Sequence, residues 1–503
     1  MLSPNLMTLL TAFAGLVLLA ACGSDSKQNT DPKQGLTTDF SKDFASFSKL
    51  GGDTSVNSED PGAFSFSASN LDTAANRNFL VGNELFEAPW TIAPASADLR
   101  DGIGPLLNVS ACQTCHLNDG RGHAPADEND TAGSMLVRLF RPAANENESA
   151  LLLSGLQGNF VDANYGGQIQ DHSNPGVASE ANIQISYSEK TQTFEDGHIV
   201  TLRQPHFTLV DLNYGPLGEE TRFSVRIANA MIGLGLLENI SEEHILIQAD
   251  PDDDDNDGIS GEANYVLDVA SNKLALGRFG WKAGQPSLRQ QSAGAFNGDM
   301  GLTTNLFPTA NCTGIQTQCA GAISGVNAGD SVEINDDLLD FVEFYTQHLA
   351  VPARRNIEDA NVIAGAELFT QANCHACHTP YFKTAENTQL PALSNQDIFP
   401  FTDMLLHDMG EDLADLQQDG SAAPALETSE FLASSREWRT PALWGLGLSN
   451  VVHAEAGLLH DGRARTPLEA VLWHGGEAQA SKEAVLNFTA AQRSQFQAFL
   501  MSL

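Results

Sequence analysis

The chain has 503 residues, 42% of them hydrophobic, which is long and apolar enough for roughly two or three ordinary domains with their own cores. Its 26 Lys and Arg stand against 64 Asp and Glu, a formal charge of -38. That field repels phosphate backbones and anionic membrane surfaces, so nucleic-acid partners are excluded and the acidity reads as a solvated surface.

Residues 8–21 (TLLTAFAGLVLLAA) are apolar but too short to span a bilayer comfortably, and Cys22-Gly23-Ser24 follows them. This resembles a bacterial lipoprotein signal, which implies removal of residues 1–21 and acylation of Cys22 as a membrane anchor. With no aspartate behind Cys22, the expected place is the outer membrane of the cell envelope, facing the periplasm. Residues 22–61 are polar and read as a tether. A helix is expected on 82–86 (GNELF), and the echo at 365–369 (GAELF) marks a second, related helix. Between them Ile183, Ile185 and Tyr187 alternate with polar residues, Asp196-Gly197 signals a hairpin turn, and residues 198–202 and 207–212 read as further strands. Residues 226–240 (RIANAMIGLGLLENI) read as an apolar helix, and Ser241 caps the next one. Residues 336–348 place Leu338, Val342, Tyr345 and Leu349 on one helical face, and Pro352 ends that helix. The expected fold is therefore mainly α: two cytochrome c-like units with a small β-containing insertion and long loops. The boundaries are 62–354 for the first unit and 355–503 for the second.

Cysteine use carries the chemistry. Of seven Cys, four form two C-x-x-C-H motifs, Cys112, Cys115 and His116 in one, Cys374, Cys377 and His378 in the other. Two thiols at this spacing match the two vinyl groups of one haem, and the adjacent imidazole can bind its iron. The expected cofactors are two covalently bound haem c groups. The rival is one zinc site built from both pairs, which suits a reducing cytosol better than an exported chain. Cys312 and Cys319 remain and are expected to form a disulfide. In DPDDDDNDGISG (250–261), Asp253, Asp255 and Asp257 alternate before Gly258, the pattern by which a tight loop points carboxylates at calcium. Asn264 stands where an EF-hand has its last glutamate, so the loop is not an ordinary EF-hand.

From residue 82 to the C-terminus the chain is similar to the di-haem oxidoreductase family, also called thiol oxidoreductase-like, and more distantly to bacterial di-haem cytochrome c peroxidases. The matching strings include CQTCHLNDGRG (112–122), LGRFGWKA (276–283), QQSAGAFNGDMGLTT (290–304), CHACHTP, FTDMLLHDMGEDLAD (401–415), EWRTPALWGLG (437–447) and LLHDGRARTPLEAVLWHGGEA (458–478). The resemblance implies an oxidoreductase that is peroxidase-like. One haem, in the first unit, meets peroxide, and the other takes electrons from a small redox donor protein or a quinol-linked source. Gln290, Gln291 and Asp299 are then the candidate catalytic residues, with His123 as a group that would instead close the first iron. Met409 is the expected sixth ligand of the second haem, because a thioether raises its potential, with His460 and Met300 as alternatives. Arg463 and Arg465 are candidates for the haem propionates. The reading of a different class is an electron carrier with both irons capped.

Overall fold

The computed structural model describes residues 47–96, 100–127, 134–327 and 329–503. The expected signal, Cys22 and most of the tether lie outside them. Among the described residues no helix is long and apolar enough to cross a membrane.

Two helix pairs give the chain its frame. The first is α1 (Thr73–Glu87), capped by Asp72 through the amides of Ala74 and Ala75, and it crosses a helix whose cap is Asn335. In the second pair, residues of the GAELF echo cross the C-terminal helix, which a Thr489–Gln492 capping box starts. The echoing glycines are the crossing points. A Cβ on Gly82 would lie 2.1 Å from the Phe341 carbonyl oxygen, and one on Gly365 would lie 2.0 Å from that of Gln495. Only glycine permits either approach. The echoing phenylalanines, Phe86 and Phe369, stand 6.0 Å from His116 and 6.4 Å from His378, ring to ring. The repeat in the sequence is thus a repeat in space: glycine seats the helix, and phenylalanine meets the motif histidine.

Between the pairs, the chain departs from expectation. Helix takes 30% of it and strand 19%, so it is not mainly α, and no cytochrome c fold is shown around either motif. The strands form seven small two-stranded sheets among the described residues. The largest is the hairpin of β2 (Asn182–Thr193) and β3 (Ile199–Val210), turned at Asp196-Gly197 as the sequence suggests. An earlier strand, β1 (Met135–Phe140), pairs in antiparallel with β4 (Arg222–Ile227). That pairing overturns the long helix expected on 226–240. The ladder claims Arg226 and Ile227, and Gly233 takes a left-handed φ of 68°. Gly235 lies where a Cβ would meet the Gln347 carbonyl oxygen at 2.2 Å. Only Leu234–Glu238 is helical, and Ser241 then caps the next short helix as expected.

Three helices bear on the site: α2 (Leu288–Met300), α3 (Asp336–Gln347), which α1 crosses, and α4 (Ala360–Gln371), which carries the second echo. On α3, Val342 and Tyr345 are buried as expected, with Leu339 deeper than Leu338. Cys312 and Cys319 form the expected disulfide. Segments from residue 400 onward are woven into earlier ones: Leu406 bridges Glu262, Leu416 bridges Phe223, and buried Lys282 pairs with buried Asp415 at 3.2 Å.

Candidate functional site

The two motifs open on two different cavities. Cys112, Cys115 and His116 line one of about 490 Å³, and Cys374, Cys377 and His378 line one of about 150 Å³. The pairs do not meet, so a single zinc site made of both is excluded by placement. Burial pushes the thiols of Cys112 and Cys374 up to about 12.

Both motif histidines are held alike. His116 Nδ1 lies 2.7 Å from the Asn229 carbonyl oxygen, and His378 Nδ1 lies 3.0 Å from that of Phe401. A carbonyl only accepts, so Nδ1 is the donor and Nε2 keeps its lone pair. Burial lowers both imidazoles, His116 to about 4, and keeps them neutral. A neutral ring anchored through its far nitrogen is what an iron ligand needs.

The larger cavity is the more polar of the two. Arg138, Gln168, Gln291 and Asp299 line it, together with the Arg226–Glu430 ion pair at 2.6 Å. Asp299, near the end of α2, accepts from Gln168 Nε2 at 2.9 Å. Burial raises its carboxyl above the ordinary range, against the opposing pull of the Arg138 charge and the Gln168 hydrogen bond. Gln291 and Asp299 both line this cavity, and Gln290 does not. Its side chain accepts from the Val269 amide and donates to Leu267 O and Gln285 Oε1, which ties α2 to the neighbouring strand and leaves the cavity. His123 lines neither cavity and faces His453 and Glu455. Met300 is buried and belongs to the walls of the first cavity, not the second.

Apolar side chains dominate the smaller cavity, and both Met409 and His460 reach it. His460 repeats the motif histidines: Nδ1 lies 2.9 Å from the Val225 carbonyl oxygen, and burial lowers the ring to about 4. Its Nε2 is buried without a hydrogen-bond partner among the described residues. Such an orphan costs about 1–3 kcal/mol unless something binds it. The ring is fixed against Trp438, stacked at 3.8 Å and 7°. His474, which sequence reasoning missed, also lines this cavity with Nδ1 2.7 Å from Ala470 O. His407, by contrast, is clamped between Asp403 at 2.7 Å and Glu477 at 2.6 Å.

The arginines differ from expectation. Arg463 is already neutralised by Asp461 at 2.7 Å and Arg465 by Glu469 at 2.6 Å, and neither lines a cavity. Arg121 and Arg439 are buried on the smaller cavity, and burial lowers both to about 10. Among the described residues neither has an ion-pair partner within 4.0 Å. Buried guanidinium groups without a carboxylate suit an anionic ligand. Arg439 and Trp281 line both cavities and so form the partition between them.

In the acidic loop, ligand oxygens of Asp250, Asp253 and Asp255 lie within 4.8 Å of one another. Asp257 is not in that group, and its carboxylate accepts from the Ile259 amide at 2.8 Å.

Two Cys-x-x-Cys-His centres, one on a polar cavity and one on an apolar cavity across a shared wall, define a two-centre redox class of protein. More particularly, the chain belongs to the family described as "di-haem oxidoreductase, putative peroxidase", whose model matches residues 44–503. No curated protein matches the chain.

Proposed function

We propose that the chain is a di-haem peroxidase of the c type, with haem joined to Cys112 and Cys115 under His116 and to Cys374 and Cys377 under His378. The observation that carries this reading is the shared posture of the two motif imidazoles, each neutral and anchored through Nδ1 at the wall of its own cavity. When bound, the haem irons supply the one-electron redox chemistry. The protein's part is to hold protons and charge. Asp299, raised by burial and steadied by Gln168, accepts a proton from one peroxide oxygen and returns it to the other. Arg138 and Gln291 support the oxygen that leaves with excess charge. The balance is one peroxide, two electrons and two protons giving two waters.

Electrons enter, in this reading, from a small redox protein or quinol-linked donor at the second centre, where the apolar wall excludes water. His460 would be the second iron's further ligand there, because its buried Nε2 has no hydrogen-bond partner among the described residues. Arg121 and Arg439 would take propionates. The Cys312–Cys319 disulfide supports an oxidising envelope compartment and hence an exported chain, and the anchor at Cys22 rests on the sequence. Asp250, Asp253 and Asp255 would take calcium, with Asp257 holding the turn.

The test is expression in an export-competent host with haem-attachment machinery. Haem should resist acid-acetone extraction, and the protein should oxidise two equivalents of a one-electron donor per peroxide. Full extraction of haem removes the attachment claim. Stable haem with no peroxide-dependent oxidation makes the chain an electron carrier.

A further inference from the structure

His123 finds its place outside both haem cavities, and its surroundings form a site of their own. The loop after the first motif meets the segment after a short helix, Ser449–Val452, across more than three hundred residues of sequence. One backbone bond joins them, Gly457 N donating to Gly122 O at 3.0 Å, and the loop is fixed elsewhere by Gly122 N donating to Ala228 O at 2.9 Å and His123 N to Ser134 Oγ at 2.8 Å. A Cβ on Gly120 would stand 2.9 Å from Val452 Cγ1, so the approach depends on glycine there.

At this junction the ligand atoms of His123, His453 and Glu455 all lie within 4.8 Å of one another. The imidazole rings are 5.0 Å apart and stand at 88°, converging edge to face instead of stacking. His453 Nδ1 donates to Arg121 O at 3.0 Å, which orients the ring and leaves Nε2 its lone pair. His123 is 8% exposed, while the Glu455 side chain is 70% exposed and forms the open side. A simple ion pair explains the cluster poorly, since His123 Nε2 and Glu455 Oε2 are 3.7 Å apart, beyond a hydrogen bond. A tetrahedral zinc ion needs its ligands roughly 3.4 Å apart, and an exposed carboxylate has room to make that adjustment.

We infer that His123, His453 and Glu455 bind one divalent first-row transition metal of the zinc class, with water in the remaining position. Two imidazoles and a carboxylate select such an ion over calcium, which takes oxygen ligands. The ion clamps the loop behind the first Cys-x-x-Cys-His motif to the segment that leads into His460. The site rests on neither haem assignment.

The experiment is calorimetric titration of the chelator-treated, haem-loaded protein with zinc sulfate in excess calcium chloride. One zinc per chain is expected. His453→Gln, whose amide can keep the bond to Arg121 O, should weaken that binding by at least about 10–100-fold. Glu455→Gln should weaken it as well while leaving far-ultraviolet and haem spectra at wild type, and it carries the test should a His123 variant fail to fold. No bound zinc, zinc displaced by calcium, or binding undiminished in both His453→Gln and Glu455→Gln would overturn the site.

Discussion

Replacing Asp299 with asparagine separates proton handling from everything else the first cavity does. The amide is the same size, and its Oδ1 can still accept from Gln168 Nε2, which is 2.9 Å away in the native protein. What disappears is the transferable proton and the charge beside Arg138. General acid–base catalysis contributes about 10²–10⁴ in rate, so kcat/KM for peroxide should fall by that factor, or about 2.7–5.4 kcal/mol of transition-state stabilisation. Burial raises the Asp299 carboxyl, so the base form is present above that raised pKa and wild-type turnover declines as pH falls through it. The variant should lack this acid limb. Because burial penalises ionised Asp299, the amide should melt no lower than wild type at neutral pH, which distinguishes a lost proton relay from a damaged fold. The assay is donor oxidation against peroxide across the acid and neutral range, with both reduction potentials measured beside it. Unchanged kcat/KM, or an acid limb that survives in the variant, refutes the assignment.

His460→Ala should shift the potential and spectrum of one haem only, whereas Met409→Leu should leave both as they were; the reverse result in a redox titration returns the ligand role to Met409. Gly365→Ala drives a Cβ to 2.0 Å from the Gln495 carbonyl oxygen and should cost about 1–3 kcal/mol, read from the urea midpoint. For His407, burial opposes the charge but the Asp403 carboxylate outweighs it, and the imidazole stands well above its ordinary value. Its contribution to stability is full below about pH 6.5 and is lost as pH rises through the folded value. His407→Gln should therefore flatten the alkaline fall of thermal stability, and an unchanged alkaline limb counts against the clamp.

The parts of the site set by short spacings were legible in the sequence. The motif triplets, the echoing glycine and phenylalanine, the Asp196-Gly197 hairpin and the disulfide depend on neighbours within a few residues. Helix rotation was not legible: Gln290 and Gln291 are adjacent on α2, yet one bonds Leu267 and the other lines the cavity. The arginines show a signal that could have been used. Arg465 has Glu469 four residues on and Arg463 has Asp461 two before, local partners that mark both as already paired. Arg121 and Arg439 meet one cavity from more than three hundred residues apart, which no local pattern announces. The overestimate of helix arose where β1 claimed the start of an apolar run and glycines at 233 and 235 broke the rest.

In the proposed function the more polar first centre admits a small ligand at iron and the second does not. Titrating half-reduced, haem-loaded protein with cyanide, while counting ligated irons by spectrum, tests it most directly. One cyanide per two covalently bound haems is expected, with the responding signal lost to competition from peroxide. Two capped irons that refuse cyanide in every redox state, or a response only at the haem joined to Cys374 and Cys377, would contradict it.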